Sequence, residues 1–321
     1  MKKKLLVSLL SIVFLTATAP VSAVWTIKKG RLVDASKTAT LSVDEHYKLG
    51  IEALQEKNYK VAAQHFNIVA TCFPLSECAQ DANYYLGIAL FQLEEFDFAN
   101  DAFSAYISAK NHPQFFIEAI EYKFCIAEAF RKGACRRPFG SKQLPKWASG
   151  QALGLTIYDE VIAALPSHDF AVRALYSKAC LLRSMKQYRD SIDALQLVVK
   201  RFAKHELASL SYVMIANIYL EQCEAEFQNP DLIAFSEINL RRFKEQFPRD
   251  EKICEAESIV LAIKETYAKG LYETGQFYER IEKTRASIIY YKNVVDQFPE
   301  TNVAKICEER LKRLMKPVNA S

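Results

Sequence analysis

The sequence predicts an all-α protein, an α-solenoid of stacked helix pairs, and three observations carry that prediction. Glycine and proline are scarce, 9 and 10 in 321 residues. All-β folds need a turn every ~8–12 residues and phosphate-binding α/β folds need glycine-rich loops, so both are disfavoured. From Tyr47 onward apolar residues recur at three- and four-residue intervals, broken by polar Glu56-Lys57-Asn58 and Glu94-Glu95, which is the period of amphipathic helices. The pattern also repeats: Leu49, Gly50, Tyr59, Ala62 and Phe66 return 37 residues later as Leu86, Gly87, Phe96, Ala99 and Phe103. Hydrophobic residues at 50% and charged residues at 25% exclude a disordered chain and a multi-span membrane protein.

Taken in order, residues 1–23 read as a secretory signal. Lys2, Lys3 and Lys4 form its basic start, Leu5 to Leu15 its apolar core and Val21-Ser22-Ala23 its cleavage site, so the mature chain is expected to begin at Val24. The apolar run is shorter than the roughly 20 residues that span a bilayer. Three of the four excess positive charges sit in those lysines, so the basic balance gives no reason to expect nucleic acid. The expected compartment is a bacterial periplasm, with the product soluble or peripheral to the inner face of the outer membrane. Residues 24–43 read as an N-terminal linker.

Residues 44–166 hold the N-terminal repeats. Gly50 faces Ala62 and Gly87 faces Ala99, which lets paired helices approach, while Phe66 and Phe103 fill space toward the next pair. This is the tetratricopeptide spacing. A further pair, about 115–132 and 150–165, brackets an expanded loop at 133–149 containing Pro138, Gly140 and Pro145. Residues 167–250 read as additional helix pairs: Tyr176, Ala179, Leu182, Tyr188, Leu195 and Val198 follow the template with Ser191 in place of the second alanine, and the next pair breaks at Asn229-Pro230. Residues 251–321 hold a terminal repeat, about 252–297, and a capping helix from Val303 to Leu314.

No catalytic group, cofactor or metal is expected. The five histidines are scattered, His46 and His65 falling on the two helices of the first pair, and no HExxH, P-loop or GxSxG is present. The eight cysteines form no CxxC and read mostly as small core residues; Cys72 with Cys78 is the pair whose spacing permits a disulfide.

Binding is what stacked helix pairs support. On the first helix of each pair, positions i, i+3, i+7 and i+10 share a face. These are Asp44, Tyr47, Ile51 and Leu54, then Asp81, Tyr84, Ile88 and Phe91. The recurrence of Asp and Tyr points either to a groove for an extended or aromatic-ended peptide or to tyrosines packed between repeats. In the expanded loop Arg136, Arg137, Lys142 and Lys146 alternate with Phe139 and Trp147, a mixture suited to protein contact and equally to a solvated basic loop. Arg280 and Arg285 are expected as exposed charges at the terminal turn, with Phe277 and Tyr278 packed.

Three places resemble the BamD (YfiO/ComL) family of the outer-membrane assembly machine. Phe73-Pro74, Ser76, Ala79 and Ala82 leading into Tyr84-Tyr85-Leu86-Gly87 resemble the junction of that family's first two repeats. The enlarged loop is the second place. The third is the terminal unit Phe277-Tyr278, Arg280, Ala286, Phe298-Pro299 and Thr301, read as having one residue fewer between its helices than an ordinary repeat. The resemblance covers about 45–165 and 265–310, with the pairs at 168–250 as an insertion; the family's lipidated cysteine is missing, since Val24 follows Ala23. It implies a non-enzymatic periplasmic scaffold whose N-terminal groove receives unfolded outer-membrane protein clients and whose terminal repeat docks on a BamA-like barrel assembly protein. The alternative is a CpoB-like periplasmic repeat protein coordinating Tol-Pal and cell-wall machinery. That class carries a coiled coil before its repeats, for which residues 24–43 are too short and too polar.

Overall fold

The computed structural model describes residues 25–28, 31–34, 39–109, 113–140, 144–225 and 229–315. The signal segment and its Ala23–Val24 junction lie outside them, as do Lys142 and the Phe139 side chain. The chain divides into two compact units, residues 1–94 with 104–113 and residues 95–103 with 114–321.

The stretch expected as a linker contains strands instead. β1 (Trp25–Lys28) pairs antiparallel with β2 (Arg31–Asp34), Trp25 opposite Asp34 and Lys28 opposite Arg31. Thr26, Ile27 and Val33 are β-branched and favour extended backbone. In the first unit α1 (Val43–Gln55) starts at a capping box: Ser42 Oγ accepts from the Glu45 N–H and the Glu45 carboxylate accepts from the Ser42 N–H at 2.9 Å. α1 packs on α2 (Tyr59–Cys72), and both pack on α3 (Cys78–Gln92). α4 (Phe96–Ile107) contributes its first turns to the second unit and its last turn to the first.

The second unit continues through α5 (Phe116–Arg131), β3 (Cys135–Arg136), β4 (Ala148–Ser149), α6 (Gln151–Ala164), α7 (Asp169–Ser184) and α8 (Tyr188–Arg201). It is completed by α9 (Glu206–Ala225), α10 (Asp231–Gln246), α11 (Ile253–Arg280), α12 (Thr284–Gln297) and α13 (Asn302–Leu314). From α5 each helix packs on the next, and α5 on α7, α7 on α9, α9 on α11 and α11 on α13 as well. First helices therefore touch both the second helix of their own pair and the first helix of the next, the pairing of a tetratricopeptide-like α-solenoid with a C-terminal capping helix.

The hairpins share one register. Lys57, Glu94, Lys186 and Glu282 take positive φ of 57° to 61°, each in a three-residue turn. Six-residue closing bonds seal three of these turns: Asn58 N–H to Ala53 O at 2.8 Å, Gln187 N–H to Leu182 O at 2.9 Å and Lys283 N–H to Tyr278 O at 3.0 Å. Seven residues before the left-handed residue stands a small one (Gly50, Ala179, Gly275), and five residues after it another (Ala62, Ser191, Ser287). A Cβ on Gly50 would lie 2.8 Å from the Phe66 ring, and one on Gly275 2.6 Å from the Tyr291 ring. Ser191 occupies its alanine position without penalty because its buried Oγ donates to Ala179 O at 2.8 Å.

This register overturns the expected shortening of the terminal unit. Gly275, Ser287 and Tyr291 repeat the separations of Gly50, Ala62 and Phe66, so no residue is missing; the small anchor is Gly275, and Phe277-Tyr278 stand beyond it near the turn. α11 is a 28-residue helix serving two pairs. Ala256, Ile259 and Ile263 of its first half join Tyr212 and Phe243, while Ala268 of its second half joins Tyr291, Val294 and Cys307. α13 is seated by Glu265, whose carboxylate accepts the Asn302 and Val303 N–H groups at 2.9 and 3.2 Å, an anion at a helix N-terminus.

Candidate functional site

In the first unit, the face read from α1 and α3 is only partly what the spacing implied. Asp44 is exposed, and Tyr47, Ile51, Leu54, Asp81, Ile88 and Phe91 are half-buried. Tyr84 is 7% exposed and packs 5.2 Å from Tyr106, so it belongs to the interhelical core and not to an open groove. Tyr84 thus follows the second of the two readings, packing between helices, and the tyrosine beside it is the one left partly open. Tyr85 is half-buried, stacks on Phe66 at 5.5 Å and meets Tyr47 edge-on at 6.2 Å. The signal for it lay in the Tyr84-Tyr85 pair: neighbouring residues on a helix point about 100° apart, so one of the two must turn away from the core side.

Carboxylates surround this aromatic step. The Cys78 thiol is pushed up by burial and then by Asp44, Asp81 and Glu77. Tyr47 is raised too, first by burial, then by Tyr85, Asp81 and Cys78. Asp44, Asp81, Tyr47 and Tyr85 therefore share one acidic, tyrosine-bearing surface. Behind it His46 Nδ1 and His65 Nδ1 lie 2.9 Å apart, and the Leu41 N–H points at His46 Nε2 at 3.4 Å. With Nε2 accepting, His46 carries its proton on Nδ1 and donates it to His65. Burial lowers both histidines, disfavouring their charged forms. Cys72 and Cys78 end α2 and begin α3 and are not joined by a disulfide. Cysteines prove less internal than expected: Cys223 and Cys307 are buried, whereas Cys72, Cys125, Cys135 and Cys254 are exposed.

In the second unit the expanded loop is strapped to the start of α4. The Glu95 carboxylate accepts from Arg137 Nε at 2.9 Å and Nη2 at 2.7 Å, with Lys146 Nζ at 3.4 Å. The Arg137 N–H reaches Asp97 Oδ2 at 3.3 Å, and Arg137 Nη1 donates to Leu144 O. These bonds hold Glu95 below the usual carboxylate range, the Arg137 hydrogen bond foremost. Arg137 thus fixes the loop internally, which corrects its reading as a partner-facing side chain. Arg136 is exposed and Trp147 is 66% exposed, and both stand on the loop's outer surface.

At the terminal turn Arg280 closes α11 and Arg285 lies in the first turn of α12, both exposed. Glu279 is engaged inward, accepting from Tyr291 Oη at 2.6 Å and Arg310 Nη1 at 2.8 Å. Phe277 was expected to pack and is 50% exposed, whereas Tyr278 stacks on Tyr290 at 5.4 Å. Among the described residues no three metal-ligating side chains gather, and no helix is long and apolar enough to cross a membrane.

No protein-family model and no curated protein matches this chain. Several solved structures are similar to it. MamA residues 41-end from Desulfovibrio magneticus RS-1 is 16% identical, with a TM-score of 0.34 over 67% of this chain and 95% of that one. A tetratricopeptide repeat protein from Parabacteroides merdae ATCC 43184 is 12% identical, with a TM-score of 0.35 over 85% and 99%. A Rap protein complexed with Competence and Sporulation Factor is 11% identical, with a TM-score of 0.31 over 86% and 76%. The tetratricopeptide-type fold assigned here rests on the helix pairing and the shared hairpin register.

Proposed function

We propose that this chain is a non-catalytic scaffold of the bacterial periplasm that binds proteins, as a BamD-like component of outer-membrane β-barrel protein assembly. The observation that carries the binding role is the surface of Asp44, Tyr47, Asp81 and Tyr85. Its tyrosines are held rigid by ring packing yet half open, and rigid aromatic anchors are what interface hot spots use. Unfolded outer-membrane protein segments are the clients assigned to it. The assembly role is supported by the resemblance of the 73–87 junction and by the enlarged loop, which is a built feature held by Glu95. The terminal spacing no longer supports it, but exposed Arg280 and Arg285 remain the docking charges for a BamA-like barrel protein. The CpoB-like reading is favoured less, because residues 25–34 pair as strands where that class has a coiled coil.

The test is affinity purification of the full chain from a detergent extract of envelopes. Co-purification of the barrel assembly protein, lost with Arg280→Glu and Arg285→Glu, is the expected result. Recovery of Tol-Pal components in its place would replace this reading with the alternative.

A further inference from the structure

α11 carries one continuous stripe along its length. Ala256, Ile259, Ile263, Tyr267, Gly270, Thr274, Tyr278 and Ile281 follow one another at three- and four-residue steps and so share a face. Over its first half that face is covered by α10, which runs antiparallel: Lys244 pairs with Glu257 at 2.6 Å, Glu237 with Lys264 at 2.8 Å, and Tyr267 Oη donates to Asn229 O. Together with Tyr212, Val213 and Ala216 of α9, this seals Ala256 and Ile263. Past Tyr267 and Leu271, where Ile233 makes the last apolar packing from α10, the covering helix has ended while α11 runs on to Arg280. There the stripe is covered only in part: Thr274 and Tyr278 are half-buried, Phe277 beside it is 50% exposed and Ile281, just past the helix end, 43% exposed.

Elsewhere in the stack a first helix is covered by the second helix of the preceding pair, α6 on α7 and α8 on α9. The second half of α11 is a first helix for α12 and lacks that cover. At the point where α10 stops, a cavity of about 420 Å³ opens, lined by Ile233, Tyr267, Leu271, Thr274, Tyr290 and Phe298 among others. Buried Gly270 stands on its wall. At the other end of the stripe Arg280, Lys283 and Arg285 are exposed, with the exposed carboxylate of Glu282 among them.

We infer that the open half of α11, with Tyr290 of α12, is the docking groove for one amphipathic helix of a partner protein, which lies antiparallel to α11 as α10 does. The helix places a bulky apolar residue in the cavity and an acidic first turn over Arg280, Lys283 and Arg285. An acidic N-terminal turn suits its own dipole as well as those cations. Helix-in-groove recognition of this kind reads apolar anchors at i, i+3 or i+4 and i+7. The inference builds on the terminal unit as a docking end. A peptide measurement reads the groove alone, whereas co-purification reads the partner's identity, so either can fail without the other.

The probe is a stapled, fluorescent peptide of the α10 sequence, residues 231–246, with two glutamates added at its N-terminus, titrated with the full chain and followed by anisotropy. Saturable binding that weakens by at least about tenfold with Phe277→Asp and Ile281→Asp is expected, as for loss of a hot-spot anchor. Thr274→Trp, which fills the cavity, should weaken it likewise while circular dichroism stays unchanged. Arg280→Glu with Lys283→Glu should weaken the acidic peptide and not a version lacking the two glutamates. Absence of saturable binding, or binding indifferent to folded Phe277 and Thr274 variants, overturns the groove. Concentration-dependent dimerisation abolished by Phe277→Asp would assign the groove to a second copy and overturn the partner helix.

Discussion

Non-glycine residues in left-handed turns make a sharp test of the hairpin register. Lys57, Lys186 and Glu282 sit at φ of 60°, 60° and 61°, each where the carbonyls at a helix end are closed by the chain turning back. An L side chain in this region costs about 1–2 kcal/mol through the clash of Cβ with the following carbonyl. Glycine avoids that clash but gives up about 0.5–1 kcal/mol of extra unfolded-state freedom. Each of Lys57→Gly, Lys186→Gly and Glu282→Gly should therefore gain about 0.5–1 kcal/mol, and the triple variant about 1.5–3 kcal/mol, since separate hairpins add. Gly133 is the opposite control: it has φ of 100° and open space around a built Cβ, so Gly133→Ala meets no neighbour and should lose about 1 kcal/mol to backbone strain alone. Urea denaturation by circular dichroism measures the five variants against the parent. If the three glycine variants unfold at lower urea than the parent while Gly133→Ala is neutral, the turns are not left-handed and the common register fails with them.

The tyrosine surface makes a second prediction: Tyr84→Ala should cost about 3–5 kcal/mol of stability as a buried ring, while Tyr47→Ala with Tyr85→Ala should leave a folded protein whose client-peptide affinity falls by about 1–3 kcal/mol. Gly50→Ala and Gly275→Ala each drive a methyl into an aromatic ring at 2.8 and 2.6 Å, and denaturation should record a loss of about 1–3 kcal/mol apiece. The Glu95 strap should depend on pH. Its carboxyl is held below its ordinary value of 4.5, so the strap's contribution is full above that value and is lost as pH falls through the lowered one. Trp147 emission, read in a Trp25→Phe background because the chain has 2 tryptophans, should change over that acid range and lose the transition in Glu95→Gln.

The helix pairs were legible because burial imposes a period on the sequence, and the period survives without knowledge of neighbours. α5 and α6 fall within a residue or two of 115–132 and 150–165, and α13 begins one residue before Val303. Side-chain direction was less legible. Carrying the α1 face onto α3 by a fixed offset selected Tyr84, but Tyr84 and Tyr85 differ by about 100° and packing against Phe66 and Tyr106 decides between them. Arg137 was misread for a related reason: its partner Glu95 stands 42 residues away, and sequence spacing holds no trace of an ion pair across a loop. The β-ribbon at 25–34 was missed because two four-residue strands carry too few positions for a period to emerge.

α11 explains why the terminal unit invited a misreading and why it is the part of the chain with an unfilled place. In ordinary repeats the break between one pair and the next is marked by a turn, and the sequence shows it. Between Ile253 and Arg280 no break occurs: Gly270 and Gly275 both lie inside the helix, Gly275 for close approach of the Tyr291 ring and not for a turn, so a helix belonging to two pairs reads as one irregular repeat. Fusing the two first helices removes the second helix that a turn would have introduced between them. Its absence leaves an apolar stripe continuous in sequence, sealed at Ala256 and Ile263 and part-exposed towards Phe277 and Ile281, and proteins seldom keep large apolar faces bare without a use for them. The irregularity in the repeat and the open groove are one feature: the same stripe that the core needs at Ala256 and Ile263 continues, in phase, to Ile281.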